Sequence, residues 1–291
     1  MPSWQGKSAG TPLGYRIFII LLRSAGVGAA YFLLYFVSLY YFFFASSSQY
    51  ILAYFKRLGF GWWKSRRFLY RNYFSFGQSL IDKIVVQAGI KSPFTFDFDG
   101  EENLHGMVSR RRGGLLLSAH IGNWEAAGHL LERLNTRINI VMFDGEHEKI
   151  KEYLHSVTGK KNANIIVIKD DLSHIYAIND AFSNNELVCM HADRFVQGVK
   201  TLPVSFLGEP AKFPVGPFIL AAQFKVPVSY VFAMKEATYH YHFYATPIQQ
   251  YDFSDKNAAI QKMAEEFAAA MEERVKQYPE QWYNYYDFWS K

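Results

Sequence analysis

The sequence predicts an α/β fold: a mostly parallel sheet flanked by helices, with an N-terminal membrane helix. Three observations carry this reading. Short, fully apolar runs recur between stretches with helical spacing, the pattern of buried parallel strands and the helices that cover them. A run of 22 residues without a charge, Ser24–Ala45, lies near the start of the chain. Charge is also unevenly divided along the 291 residues. Nine cations and no acid precede Asp82, whereas residues 82–291 carry 22 basic and 26 acidic groups.

Taken in order, the first element is the uncharged run. About 20 apolar residues in a helix cover the roughly 30 Å of a hydrocarbon core, so Ser24–Ala45 reads as membrane-embedded. Arg23 separates it from a second apolar piece, Ile17–Leu22. Tyr35, Tyr40 and Tyr41 favour the interface, which leaves spanning and shallow insertion both open. Residues 46–75 hold six of the nine early cations, and the positive-inside rule then places the body in the cytoplasm. The stretch KRLGFGWWKSRRFLYRNYF (56–74) mixes cations with aromatic rings, a composition suited to anionic headgroups. Nucleic acid uses a similar composition, but beside a membrane helix no nucleic-acid partner is expected. The chain thus divides into an anchoring and interfacial segment, 1–75, and a body, 76–291.

A helix is expected around 66–89, then a half-buried strand at FTFDF (Phe94–Phe98), which alternates with period two. Strand-length apolar runs follow at 115–119, 138–143, 164–168 and 186–190. Ile150, Tyr153, Leu154 and Val157 have the spacing of one helix face, and Leu172, Ile175, Tyr176 and Phe182 match it more loosely. Further strands are expected at 226–234 and 239–245. A last helix, about 255–277, is capped by Ser254 or Asp255 and stopped by Pro279.

Several chemistries are excluded or disfavoured. Cys189 is the only cysteine, so no intrachain disulfide or multi-thiolate metal site can form, and its place in an apolar strand makes it a buried, inert thiol. No glycine-rich phosphate loop or GxSxG elbow falls at a strand-to-helix junction. His240 and His242 share one strand face, a spacing metals use, but no third ligand is evident; no metal and no cofactor are expected. His129 reads as a helix-surface residue and DGEHEK (144–149) as a helix start.

SAHIGNWEAAG (118–128) places His120 at the end of an expected strand and Glu125 in the first turn of the next helix. In open α/β sheets ligands bind outside such strand ends. A Glu folded back onto one imidazole nitrogen would fix the tautomer and free the other nitrogen as a base. On spacing alone, a helix-start acid and a solvated His fit equally well.

GGLLLSAHIGNWEAAG resembles the His-x4-Asp/Glu box of the lysophospholipid acyltransferase superfamily, and is most similar to the branch of the late lipid A acyltransferases. That branch continues with an Asp-Arg element, a Phe-Gly…Pro-x-Gly-Pro element and Tyr-Pro-Glu-Gln. Here MHADRF (190–195), FLGEPAKFPVGPFILAA (206–222) and YPEQW (278–282) follow in that order. The resemblance implies a glycerolipid acyltransferase-like fold for the body. It also implies an O-acyltransferase with His120 as base and Glu125 as its partner, taking the proton of an acceptor hydroxyl as that oxygen attacks an acyl thioester. Asp193 and Arg194 match the Asp-Arg element, and Arg194 would hold an anionic headgroup or steady the oxyanion. Phe213, Pro214, Gly216 and Pro217 match the third element, in a loop and the first turn of a helix. Asn123 would donate to the oxyanion or cap a helix, and His191 is placed to meet a headgroup.

The resemblance further implies acyl carrier protein as donor, a lipid acceptor, and the bacterial inner membrane as location. The glycerophospholipid-type enzymes carry Phe-Pro-Glu-Gly at the third box and Asn before the His. Val215 and Ala119 stand there instead, which points away from lysophosphatidate and toward a lipid A precursor. An N-acyl amino acid, an aminolipid or a pigment precursor is the alternative acceptor. A membrane-tethered lipid-binding protein without turnover is the alternative to an enzyme.

Overall fold

The computed structural model describes residues 12–87, 90, 93–123, 134, 136–143, 164–169, 171–195 and 198–289. Glu125, His129, the expected helix start at 144–149 and the helical pattern around 150–157 lie outside the described residues.

Three helices come first: α1 (Pro12–Phe44), α2 (Ser48–Arg57) and α3 (Trp62–Gln87). The two apolar pieces read on either side of Arg23 form one helix, kinked at Gly26, whose φ of 78° only glycine adopts at little cost. Among the described residues, Ile19–Phe44 is long and apolar enough to cross a membrane. It packs lengthwise along α3. A Cβ at Gly77 of α3 would sit 2.2 Å from Leu34 Cδ1, so that glycine permits the close approach. Tyr35 stacks on Phe74 at 4.6 Å, and Ile19, Leu22, Val27 and Leu34 share a core with Ile81, Ile84 and Val85. α3 runs unbroken through residue 75 and docks its other side on the body, where Asn72 Nδ2 donates to the carbonyls of Glu280 and Trp282.

Among the described residues the body holds seven strands in one sheet: β1 (Thr95–Asp99), β2 (Gly114–Ser118), β3 (Ile138–Phe143), β4 (Asn164–Ile168), β5 (Leu187–His191), β8 (Val228–Ala237) and β9 (His240–Ala245). Their order is β1-β9-β8-β2-β5-β3-β4. Every pairing is parallel except β8–β9, so the expected mostly parallel sheet is present. β2 is buried at all five positions, as its unbroken apolar run requires of a central strand. Covering helices are α4 (Glu101–Ser109), α5 (Ser173–Ser183), α6 (Gly216–Phe224) and α7 (Lys256–Gln277). Asp255 caps α7, accepting from the amides of Asn257 and Ala258.

One unit was not expected from the sequence, the hairpin β6 (Thr201–Phe206) and β7 (Glu209–Pro214), set apart from the main sheet. Leu207 and Gly208 turn it with φ of 53° and 81°, the two positive angles of a type I′ turn. Pro203 and Pro210 hid it, since proline inside a run argues against a strand. The two-stranded hairpin tolerates them, because one edge of each strand needs no ladder donor.

Candidate active site

The register of β2 and β5 builds the site. The strands are adjacent and parallel, with Ser118 opposite His191, and the Ala192 amide donates to the Ser118 carbonyl. Two residues farther on, His120 and Asp193 therefore emerge side by side from the carboxyl ends of the two central strands. From β2 the chain crosses to β3 and β4, returns to β5 between β2 and β3, and reaches β8 on the opposite flank. Such a point, where connections part, opens the crevice in which α/β sheets bind ligands.

Asp193 grips His120 twice. His120 Nδ1–H donates to Oδ1 at 2.7 Å, and the His120 backbone N–H donates to Oδ2 at 3.0 Å. The carboxylate is fully buried. Burial pushes its pKa up, but His120, Arg194 and His191 together outweigh this and hold it well below the usual carboxylate range. An ionised Asp193 accepts only, so it fixes the tautomer of His120 with Nδ1 protonated and Nε2 as the lone-pair nitrogen. The partly exposed imidazole can then take a proton at Nε2.

The His191 ring stacks on His120 with centroids 4.2 Å apart and planes at 24°. Burial pushes the His191 pKa well below the usual range, keeping a second positive charge away from His120. The nitrogens of His120 and His191 and the Asp193 carboxylate lie within 4.8 Å of one another. Near-parallel stacked rings direct their lone pairs into separate planes, however, and a tetrahedral ion needs them to converge. The cluster is better suited to holding a proton than a metal.

The backbone around His120 is secured at each step. The His120 carbonyl accepts from the Tyr283 amide at 3.0 Å, the Gly122 amide donates to the Gln281 carbonyl at 2.8 Å, and the Asn123 amide donates to the Ala233 carbonyl at 2.8 Å. Ile121 and Trp282 form an antiparallel bridge. Gly122 has φ of 65°, and a Cβ there would lie 1.9 Å from the Ala233 oxygen. Gln281 completes the brace: its Nε2 donates to the Lys235 carbonyl at 2.7 Å and its Oε1 accepts from the Lys235 amide at 2.8 Å. The YPEQW stretch and Tyr283 thus form the floor under the His120 loop. Gln281, Tyr283 and Gly122 carry this role, and no local sequence pattern assigned it to them.

The other expected site residues are distributed as follows. Arg194 donates to the Tyr283 carbonyl, tying the Asp-Arg element to the same floor. Asn123 is buried, with Nδ2 donating to the Ser79 carbonyl at 3.3 Å and to Tyr241 Oη at 3.1 Å. Its side chain is turned toward α3 and β9. Phe213 is fully buried, edge-on to Phe206 and Phe288. Pro214 ends β7 rather than lying in a loop, and Gly216 and Pro217 open α6 as expected. His240 and His242 face carboxylates: His240 Nε2 lies 3.5 Å from Asp97, and His242 Nδ1 lies 3.3 Å from Glu236. Cys189 sits within β5, where burial pushes its thiol up to about 12, far from the range of a nucleophile at neutral pH.

The family model described as bacterial lipid A biosynthesis acyltransferase matches residues 65–289. Among solved structures, the chain is similar to the 1-acyl-sn-glycerophosphate (LPA) acyltransferase PlsC from Thermotoga maritima. The identity is 15%, over 84% of this chain and 95% of that one, with a TM-score of 0.35. No curated protein matches the sequence.

Proposed function

Since the chain belongs to the bacterial lipid A biosynthesis acyltransferase family, we propose that it moves a fatty acyl chain from a thioester to a hydroxyl of a lipid A precursor, with His120 as general base. The Asp193–His120 hydrogen bond of 2.7 Å carries this reading, because it presents Nε2 as the basic nitrogen. The acceptor hydroxyl gives its proton to Nε2 as its oxygen attacks the thioester carbonyl. The oxyanion collapses, the carbon–sulfur bond breaks, and the thiolate leaves with the proton returned by the imidazolium. No acyl-enzyme is needed, in keeping with a Cys189 thiol that stays protonated. Arg194 is the cation nearest Asp193 in sequence and is assigned to the oxyanion or an anionic headgroup. Glu125, from the His-x4-Glu box, is the second carboxylate of the proposed site.

The donor is assigned as acyl-(acyl carrier protein), an acidic partner for which Lys56, Lys64 and Arg67 are exposed. The same face suits anionic lipid. Ile20, Phe32, Phe36, Tyr40, Phe43 and Phe44 of α1 are exposed, as are Trp62 and Trp63 at the start of α3, which supports burial in a bilayer. Because α1 lies along α3, and α3 carries Arg66, Arg67, Arg71 and Asn72 and docks on the body, α1 is read as immersed in one leaflet rather than crossing both. The body then faces the cytoplasm at the inner membrane.

The test is transfer from labelled acyl-(acyl carrier protein) to extracted membrane lipids. Wild type is expected to label one lipid class, and His120→Ala to lose transfer by about 10³-fold or more. Undiminished transfer by that variant would refute the assignment.

A further inference from the structure

Between α1, α3 and the β8–β9 hairpin lies a buried ion pair that the proposed reaction does not use. The Asp82 side chain, on α3, is fully buried, and that of Lys235, on β8, is 7% exposed; Nζ lies 2.5 Å from Oδ2. Two hydroxyls converge on the same carboxylate. Tyr31 Oη of α1 donates to Oδ1 at 2.5 Å, and Tyr241 Oη of β9 donates to Oδ2. Lys235 Nζ also donates to Tyr31 Oη at 3.0 Å and lies 4.6 Å from the centroid of the Tyr241 ring.

A buried ion pair is a poor source of stability, since desolvating both charges offsets their attraction, and apolar residues of the same volume often serve as well. What this pair does supply is direction. Tyr241 gives its hydrogen to Asp82 Oδ2 and so accepts from its other neighbours. These are Asn123 Nδ2, at 3.1 Å, and Lys235 Nζ, at 3.4 Å. Asn123 stands three residues beyond His120, and its amide ties the loop to the Ala233 carbonyl. The hydrogen-bond chain therefore runs one way only, from Asn123 through Tyr241 to Asp82.

We propose that Asp82 and Lys235 are positioning residues for the loop that carries His120, acting through Tyr241 and Asn123, with Tyr31 including the membrane helix in the same network. The proposal rests on the assignment of His120 as the base. Lys235 balances the carboxylate and is itself held by Gln281 through its backbone, so the network and the floor under His120 share one residue.

The test uses the full chain in detergent, with the labelled acyl-(acyl carrier protein) and lipid extract above, and adds hydrogen exchange read by peptide mass spectrometry. Tyr241→Phe removes one hydroxyl and leaves the ion pair and Tyr31 in place. It is expected to lower kcat about 10-fold, with KM for the donor within about 2-fold. Exchange at residues 121–123 should rise about 10-fold, while the thermal midpoint and exchange in α7 stay near wild type. Asp82→Asn leaves Lys235 uncompensated and is expected to do more of the same; should it fail to fold, Tyr241→Phe alone decides. Unchanged kcat or unchanged exchange at 121–123 in folded Tyr241→Phe would overturn the proposal. Full activity in His120→Ala would instead remove the base assignment, and the exchange result would still report whether the loop is held.

Discussion

Asp193→Asn separates geometry from charge at the site. The new side chain has the same shape, and its carbonyl can keep the 3.0 Å bond from the His120 amide. Its NH2 then faces Nδ1 at the position of the 2.7 Å contact. Two donors cannot share that bond, so the imidazole moves its proton to Nε2 and ceases to be a base there. Flipping the amide restores the tautomer but sets NH2 against the His120 amide, leaving buried donors unmet at about 1–3 kcal/mol. The imidazolium formed during transfer also loses its charge-assisted partner, about 1.5–3 kcal/mol. Together these predict a kcat reduced about 10²–10⁴-fold at 1.36 kcal/mol per decade, the range in which an analogous substitution falls in serine proteases. The assay is single-turnover acyl transfer across pH 6–9. Asp193 in the wild type is ionised throughout that range, so the defect should not titrate away. Because its pKa is lowered, its contribution to stability is complete above the unfolded value of ~3.9 and is lost only as pH falls through the lower folded value. A loss below about 5-fold in Asp193→Asn, beside a large loss in Glu125→Gln, would refute the reasoning and give the orienting role to Glu125.

Gly122→Ala should lower the thermal midpoint by several degrees and abolish transfer, since its Cβ meets the Ala233 carbonyl and its φ is left-handed; a wild-type melting curve would count against the fixed loop. Cys189→Ala should keep transfer within about 2-fold, because a half-buried thiol whose pKa is pushed up to about 12 offers no thiolate nucleophile; trapping of an acyl group on Cys189 would contradict direct transfer. If α1 lies in one leaflet, single cysteines at positions 20 and 44, in a Cys189→Ala background, should react with an impermeant maleimide from the same side of oriented vesicles. Labelling from opposite sides would show a spanning helix.

Much of the fold was legible because β2, β3, β4 and β5 are apolar runs of strand length, and β2, buried at all five positions, shows the mark most fully. His120 was legible as a residue at the end of one of them. Its bond to Asp193 was not. The two are 73 positions apart, and they meet because β5 inserts between β2 and β3, a choice of strand order that no local pattern encodes. The same holds for Asp82 and Lys235, which are 153 positions apart. Only the packing of α3 against β8 puts both out of water. YPEQW was visible as a motif, but its work is done by backbone amides and carbonyls, which side-chain identity does not reveal. The β6–β7 hairpin stayed hidden behind its prolines.

The floor beneath His120 has a consequence for biogenesis. Tyr283 and Gln281, which hold the loop, are translated more than 150 residues after His120. A nascent chain can assemble β2 to β5, with Asp193 on His120, while the ribosome is still copying the final helix, yet the histidine loop then lacks its ties to Gln281 and Tyr283. With His120 as the proposed base, the loop is complete only when the last strip of backbone closes against it, and a product stopped short of residue 281 is expected to lack transfer activity.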